Sequence, residues 1–138
     1  MRETGFSDFV YAAEAFFLLH IAKLIILFAP FKKIASKIGQ LNVASGEHGN
    51  GISTSTAIEQ AIRRSARFTL HDSKCYDQAL TAKVMLNRRG LKATIYFGLA
   101  KEPENQLSAH AWVRCGNKIV TGKAGMDRFT VIAFFGDA

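Results

Sequence analysis

The sequence contains only two cysteines, Cys75 and Cys115, among its 138 residues, and it shows no signal-peptide cleavage pattern. A single pair of cysteines provides no disulfide framework, so we expect a chain that works in a reducing cytoplasm. Cysteine and histidine never cluster at the spacing of a metal site, and no glycine-rich phosphate loop occurs. We therefore expect neither a metal ion nor a cofactor.

Runs of basic residues are also missing, although the net charge is +7 and the pI is about 9.7. The basic residues form scattered pairs such as Lys32-Lys33 and Arg63-Arg64, without interleaved aromatic residues for base stacking. This pattern argues against nucleic acid as a partner. A basic field of this kind also attracts an anionic membrane surface or an acidic peptide.

The most apolar stretch, Ala15 to Phe31, lacks the roughly 20 clean apolar residues that a transmembrane helix requires. His20 and Lys23 lie near its middle, where charged or titratable groups are unfavourable in a bilayer. Lys32 and Lys33 follow it and favour an anionic surface. We expect this helix to pack on its own domain or on a partner, with peripheral membrane contact left open.

Helical and strand signals divide the chain into three regions. Residues 1–40 are predicted to form an N-terminal helical extension, with a long helix over 8–29 and a short one over 31–38. Residues 41–55 are rich in glycine and serine and are predicted to form a linker. Residues 56–138 are predicted to form the core.

The core pattern is typical of an α+β fold. A capping-box spacing at Thr56 and Glu59 predicts a helix from about Ala57 to Arg67, and a second helix is predicted from Cys75 until Gly90 stops it. A loop over 101–108 and a hairpin turn at Gly116-Asn117 separate the predicted strands, which span 93–99, 109–114, 118–121 and 129–135.

Cys75 is the candidate nucleophile because it stands at the predicted start of a helix. Unpaired backbone N–H groups there stabilise a thiolate, and the same groups can hold the oxyanion that forms when an amide is attacked. Asp72 or Ser73 would cap this helix, with Lys74 beside the thiol. The position alone also fits an ordinary packing residue, so a base is needed to decide.

His110 is the candidate base because it begins a predicted strand and precedes three apolar residues that would orient its ring. The other histidines are weaker candidates: His20 lies in the apolar helix and His48 in the glycine-rich region, while His71 is a rival only through its closeness to Cys75. Cys115 falls at the hairpin turn and is expected to be a bystander thiol.

Five segments occur together and in order: Ser73-Lys74-Cys75, Ala79 with Ala82, Leu86-Asn87-Arg88-Arg89-Gly90, Tyr96-Phe97-Gly98-Leu99 and Ala109-His110-Ala111-Trp112-Val113. As a set they resemble the leader peptidases of lasso-peptide biosynthesis, which belong to the transglutaminase-like superfamily. The resemblance covers roughly residues 57–135. It implies a transglutaminase-like or papain-like core in which a helix bearing the nucleophile packs on an antiparallel sheet.

The resemblance implies a Cys-His-Asp peptidase that cuts the leader from a precursor peptide. A separate leader-binding protein and a lasso cyclase are implied as partners. Cys75 and His110 match the first two catalytic positions. The acidic position falls on the strand after the hairpin, where a two-residue turn would place Lys123 opposite His110 and Gly122 beside it, so the expected carboxylate is missing.

Three arrangements could replace the missing acid: Asp127 could fold back, a backbone carbonyl could orient His110, or a partner protein could complete the site. Asp127 also fits an ordinary solvated turn residue. The missing acid leaves open a different class of function, a non-catalytic scaffold that tethers the cyclase, the leader-binding protein or the membrane. An acyltransferase that uses the same thioester is a third hypothesis.

Overall fold

Three long helices, a few short helical turns and a five-stranded sheet make up the part of the chain that the computed structural model describes, residues 6–29, 33–34, 38–45, 51–68 and 75–137. The helices are α1 (Phe6–Phe28), α2 (Ile52–Ala66) and α3 (Cys75–Arg88). The strands are β1 (Gln40–Leu41), β2 (Thr94–Lys101), β3 (Leu107–Cys115), β4 (Lys118–Thr121) and β5 (Thr130–Gly136). The predicted α+β class is confirmed.

The sheet has the strand order β1-β5-β2-β3-β4, and each neighbouring pair is antiparallel. Helix α3 packs on β3, and α2 packs on α3 and β4. The apolar faces of these elements meet in one core, whose fully buried side chains include Ile58, Ile62, Met85, Leu86, Ile95 and Val113. Burial of each such side chain contributes about 1.5–3 kcal/mol, which fixes α3 firmly against the sheet.

Helix α2 begins earlier than predicted. Its first residue is Ile52, whereas the capping-box spacing at Thr56 predicted a start near Ala57. Gly51 adopts a left-handed φ of 111°, and its carbonyl accepts the N–H of Ser55 at 2.8 Å. The helix is therefore hydrogen-bonded one turn before Thr56, which lies inside it and cannot act as its cap.

The loop and strand boundaries differ from prediction in two places. The predicted loop 101–108 is shorter than expected, because the cross-strand pairs of β2 and β3 continue to Lys101 opposite Leu107 and leave residues 102–106 as the connection. Strand β1 was not predicted, and it pairs Gln40 and Leu41 with the end of β5. Residues 33–34 are helical, and the rest of the predicted short helix lies almost entirely outside the described residues. The division into extension, linker and core stays a prediction.

Helix α1 is held to the end of α3 by a cluster of charged groups around Glu14. The Glu14 carboxylate accepts hydrogen bonds from Arg88, at 2.7 Å, and from Arg89, whose guanidinium also lies over the Tyr11 ring. The hydrogen bond from Arg89 holds the pKa of Glu14 below its usual value, although partial burial opposes this. The Arg-Arg-Gly sequence at the end of α3 therefore has a docking role as well as a capping role.

The C-terminal end of the described chain is tied to α3 through a buried lysine. Lys83, which is only 1% exposed, donates hydrogen bonds to Asp137 at 2.7 Å and to Asn87 at 2.9 Å. Asp137 also accepts the backbone N–H of Ala93. Burial would raise the pKa of Asp137, but these hydrogen bonds outweigh it and lower the pKa below its usual value.

We expect the protein to lose stability in acid because of these two carboxylates. A carboxylate whose pKa is lowered by folding stabilises the native state above its unfolded pKa, and this contribution is lost as the pH falls below about 5. Asp137→Asn leaves the Lys83 ammonium without its anion, so the unfolding free energy at pH 7 should fall by about 1–3 kcal/mol. Chemical denaturation between pH 3 and 7 measures both effects.

The matched control for this substitution is Asp127→Asn, because Asp127 is exposed. It should leave the unfolding free energy within about 0.5 kcal/mol of the wild-type value. Equal stability of Asp137→Asn and wild type across the pH range would contradict the role given to Asp137.

Candidate active site

Cys75 is the first described residue of α3, and its side chain is half-buried against the core. The first N–H groups of an α-helix have no acceptor within the helix, so they are available to an anion at this end. The predicted caps Asp72 and Ser73, together with Lys74, lie outside the described residues. The start of α3 thus presents a thiol and backbone donors at the same place.

His110 lies on β3 and is held by one hydrogen bond and two ring contacts. Its Nε2 is 2.7 Å from the carbonyl oxygen of Gly122. A carbonyl oxygen only accepts, so Nε2 carries the proton and the lone pair of the neutral ring is on Nδ1. The ring stacks on Phe129, with centroids 4.9 Å apart, and on Trp112, at 5.7 Å. These contacts leave Nδ1 as the atom that can act as a base.

Gly98 makes room for the ring contacts of His110. It lies directly opposite His110 on β2, and a Cβ atom at this position would stand 2.9 Å from the Cβ of Phe129 and 3.0 Å from the Trp112 ring. A side chain at position 98 would collide with both residues, so glycine is required here for Phe129 and Trp112 to contact the His110 ring. Glycine inside a strand pattern is a recognised sign of close approach, but Phe129 itself carried no signal in the sequence.

The predicted register of the hairpin is wrong beyond Arg114. Arg114 pairs with Ile119, but Val113 pairs with Thr121, so β4 contains one extra residue at a bulge. This shift means that the prediction of Lys123 opposite His110 fails. Strand β4 ends at Thr121, and the next residue, Gly122, has a left-handed φ of 80°.

The third position is occupied by a backbone carbonyl, one of the three arrangements that the sequence left open. The Gly122 carbonyl accepts the His110 hydrogen bond. Asp127 is exposed in the short 3-10 turn Met126–Arg128 and lines neither groove at Cys75. A neutral acceptor can fix the tautomer of His110, but it stabilises an imidazolium less than a carboxylate does.

Two grooves meet at Cys75 and His110, and both side chains line each of them. The apolar groove, of about 320 Å³, runs along β2, β3 and β5 and is lined by Phe97, Leu99, Ala109, Ala111, Ile132 and Ala133. The second groove, called the polar groove after its charged residues, has about 300 Å³ and lies between α2, α3 and β4. Its polar lining residues include Glu59, Arg63, Gln78, Thr121 and Lys123, while Ile62, Ile119, Val120 and Ala124 add apolar walls. The structure therefore brings the predicted nucleophile and the predicted base to one place.

The remaining candidates from the sequence lie elsewhere or outside the described residues. His20 is bonded through Nδ1 to the Phe16 carbonyl in α1. Cys115 ends β3, and burial raises the pKa of its thiol although Arg114 opposes this. His48 and His71 are outside the described residues. Within the described ranges, no three His, Cys, Asp or Glu side chains are placed to hold a metal ion.

Comparison with known protein families identifies the family of this chain. The model of the transglutaminase-like superfamily matches residues 22–133. The chain belongs to the transglutaminase-like superfamily. No curated protein and no solved structure matches the chain.

The region that matches the transglutaminase-like superfamily contains every residue of the candidate site described above. The matched residues include Cys75, His110 and Gly122, together with the last part of α1, residues 22–28. The superfamily generally includes cysteine peptidases, and a thiol beside an imidazole is the arrangement that such chemistry needs. This chain departs from a Cys-His-Asp triad at Gly122, where a carbonyl takes the place of the acid.

Proposed function

We propose that this chain is a cysteine peptidase that removes the leader from a lasso-peptide precursor, with Cys75 as nucleophile and His110 as base. The observation that carries the proposal is that both side chains line the same two grooves, with the His110 ring oriented by the Gly122 carbonyl. Membership of the transglutaminase-like superfamily supports the reaction class. The leader substrate is supported by the resemblance of the sequence motifs.

The proposed reaction proceeds through a thioester. Nδ1 of His110 takes the Cys75 proton, and the thiolate attacks the carbonyl carbon of the leader–core amide. The backbone N–H groups at the start of α3 stabilise the resulting oxyanion. His110 then returns the proton to the departing core amine, the leader remains as a thioester on Cys75, and a water molecule activated by His110 hydrolyses it.

The Gly122 carbonyl sets a limit on how fast this reaction runs. The imidazolium formed during catalysis is a charged donor, so its hydrogen bond to the carbonyl is charge-assisted, but the carbonyl lacks the negative charge of an aspartate. The imidazolium is therefore less stabilised than in a Cys-His-Asp triad, and we expect a lower turnover for that reason.

The proposed setting is the cytoplasm, where both cysteines remain reduced. The proposed partners are the precursor peptide, a separate leader-binding protein and a lasso cyclase, all of which follow from the resemblance. The cyclase would close the freed core N-terminus onto a side-chain carboxylate. The proposal requires no cofactor and no nucleic acid.

Cleavage of the precursor of its own pathway in H₂¹⁸O, with the leader-binding protein present, tests the proposal. Hydrolysis of a thioester should place one ¹⁸O atom in the new C-terminal carboxyl of the leader, as measured by mass spectrometry. A leader that instead carries an added amine would indicate the acyltransferase hypothesis. An intact precursor, under conditions where the leader-binding protein captures it, would contradict the peptidase.

The missing acid supports a second candidate, a non-catalytic scaffold that keeps the fold and tethers the cyclase, the leader-binding protein or the membrane. Gly122 in place of a carboxylate is the specific observation in its favour. A scaffold has no need for an activated thiol, so the reactivity of Cys75 separates the two candidates.

Helix α1 supports peripheral docking on an anionic membrane in either case. One face packs on α2 and α3, while Phe17, Ile21, Leu24 and Phe28 form an exposed apolar stripe with spacings of four, three and four residues. Among the described helices α1 is long and apolar enough to cross a bilayer, and only 17% of that stretch is buried. The contacts of its narrow buried face, Ala15, Leu19 and Ala22, with the rest of the fold favour an interfacial position. The exposed Lys33 follows it and suits anionic headgroups.

Co-sedimentation with vesicles of phosphatidylglycerol and phosphatidylcholine tests this docking. The wild-type chain should bind, and the double substitution Phe17→Ser with Leu24→Ser should abolish binding. Val131→Ser, an exposed apolar position on β5, is the control and should bind like wild type. Equal binding by all three proteins, or equal binding to purely zwitterionic vesicles, would contradict an anionic membrane as the occupant.

A further inference from the structure

The two grooves at the candidate active site differ in chemistry, although they share Cys75 and His110. A peptide that is cut by Cys75 must pass this point, because its scissile carbonyl has to reach the thiol. An extended peptide advances about 3.3 Å per residue, so only one or two residues on each side of the bond lie next to the thiol. The residues that flank the cleaved bond must therefore face these grooves.

The apolar groove offers an uncharged surface for a large side chain. Its walls come from the sheet strands β2, β3 and β5, and Ile132 is 60% exposed at its edge. Tyr76 also lines the groove, and burial raises the pKa of its hydroxyl, which therefore stays protonated and neutral at physiological pH. A groove of about 320 Å³ is at the small end of ligand pockets, which suits one bulky side chain.

The polar groove carries an excess of positive charge. Arg63 and Lys123 line it, and Glu59 is its acidic residue. The single Glu59 carboxylate is shared between Arg63, at 3.3 Å, and Lys118, at 2.9 Å. Three cations therefore accompany one anion, which favours a carboxylate on the ligand over an ammonium group.

We propose that the substrate carries a bulky apolar side chain and an acidic side chain on opposite sides of the cleaved bond, each within two residues of it. The apolar side chain occupies the apolar groove, and the acidic one occupies the polar groove beside Arg63 and Lys123. This inference rests on the proposed peptidase function, and it defines the substrate class of that site. In this proposal, Ile132 and Lys123 are the residues that determine substrate specificity.

Cleavage of precursor variants, varied at two residues on each side of the leader–core bond and read by mass spectrometry with the leader-binding protein present, tests the proposal. The wild-type chain should prefer Leu or Phe on one side and Asp or Glu on the other. Each preference should exceed the corresponding serine peptides by roughly 10-fold or more, the discrimination that a single pocket contact provides.

Two substitutions outside the catalytic residues assign each preference to its groove. Ile132→Asp should remove the apolar preference, while Val131→Asp, the exposed neighbour that does not line the groove, should keep it. Lys123→Glu should shift the acidic preference towards Lys or Arg by roughly 10-fold, while Lys92→Glu, at another exposed site, should not. Preferences that both groove variants leave unchanged would overturn the proposal.

A binding measurement separates failure of this inference from failure of the peptidase. Fluorescence anisotropy of labelled hexapeptides on Cys75→Ala should show the same apolar and acidic preferences, and Ile132→Asp added to this variant should weaken binding roughly 10-fold. A chain that leaves the captured precursor intact but binds the hexapeptides with these preferences retains the grooves and loses the peptidase. Cys75-dependent cutting without preference at the flanking residues retains the peptidase and overturns the inference.

Discussion

Replacement of Cys75 by alanine is expected to abolish cleavage of the precursor, with a loss in kcat on the order of 10⁴-fold or more. The thioester forms at the Sγ atom of this residue, and no second thiol is placed to substitute for it. Cys115 lies at the end of β3, outside both grooves, and burial raises the pKa of its thiol. The measurement is the rate of leader release by mass spectrometry, with the leader-binding protein present.

Cys115→Ser is the matched control for this prediction, because it removes the other cysteine and is equally half-buried. It should release the leader at the wild-type rate. If Cys75→Ala releases the leader as fast as wild type, Cys75 is not the nucleophile. The scaffold would then become the better account of the fold.

Gly122→Asp is expected to destabilise the protein rather than restore a triad. Gly122 has a left-handed φ of 80°, and a Cβ atom there would lie 2.4 Å from the carbonyl oxygen of Ala111 and 2.7 Å from the Cβ of Trp112. A left-handed backbone costs about 1–3 kcal/mol at a residue other than glycine, and the overlap adds to it. We expect the unfolding free energy to fall by at least about 2 kcal/mol and cleavage to decrease.

Two companion variants separate strain from charge in this prediction. Gly122→Ala should be destabilised to a similar extent, because the Cβ atom causes the overlap. Lys123→Asp places a carboxylate at the next residue, which is exposed, and should stay within about 0.5 kcal/mol of wild type. A Gly122→Asp protein with wild-type stability and faster cleavage would show that an acid can replace the carbonyl.

The positions of Cys75 and His110 on their elements could be predicted from the sequence. Helical periodicity and the stop at Gly90 locate α3, and β-branched and aromatic residues locate the strands that surround His110. These signals are local, because they depend on residues within a few positions of one another. In the structure Cys75 is the first described residue of α3, and His110 lies on β3 but as its fourth residue, because the strand begins at Leu107 rather than at Ala109.

The features that orient His110 could not be predicted, because they depend on contacts between distant residues. The bulge in β4 shifts the register by one residue and brings the Gly122 carbonyl to Nε2, yet the two-residue turn gave no sign of it. The stacking of Phe129 on His110 joins residues 19 positions apart in the chain. Such partners become visible only once the strands are paired.

The start of α2 shows how a local signal can mislead. Thr56 and Glu59 have the spacing of a capping box, but Ser53, Thr54 and Ser55 precede them and provide no apolar period. The left-handed turn at Gly51 decides the true start of the helix. The same kind of turn at Gly122 decides the orientation of the base.

Alkylation of the two cysteines by iodoacetamide at pH 7, followed by mass mapping, tests the central claim most directly because it needs no substrate. Both thiols are half-buried, but burial raises the pKa of the Cys115 thiol, so the decisive comparison is Cys75 in the wild-type chain against Cys75 in His110→Ala. The account predicts that Cys75 reacts at least about tenfold faster than Cys115, and that His110→Ala removes this advantage. Equal rates at the two cysteines, unchanged by His110→Ala, would contradict an activated Cys75 thiol and with it the peptidase.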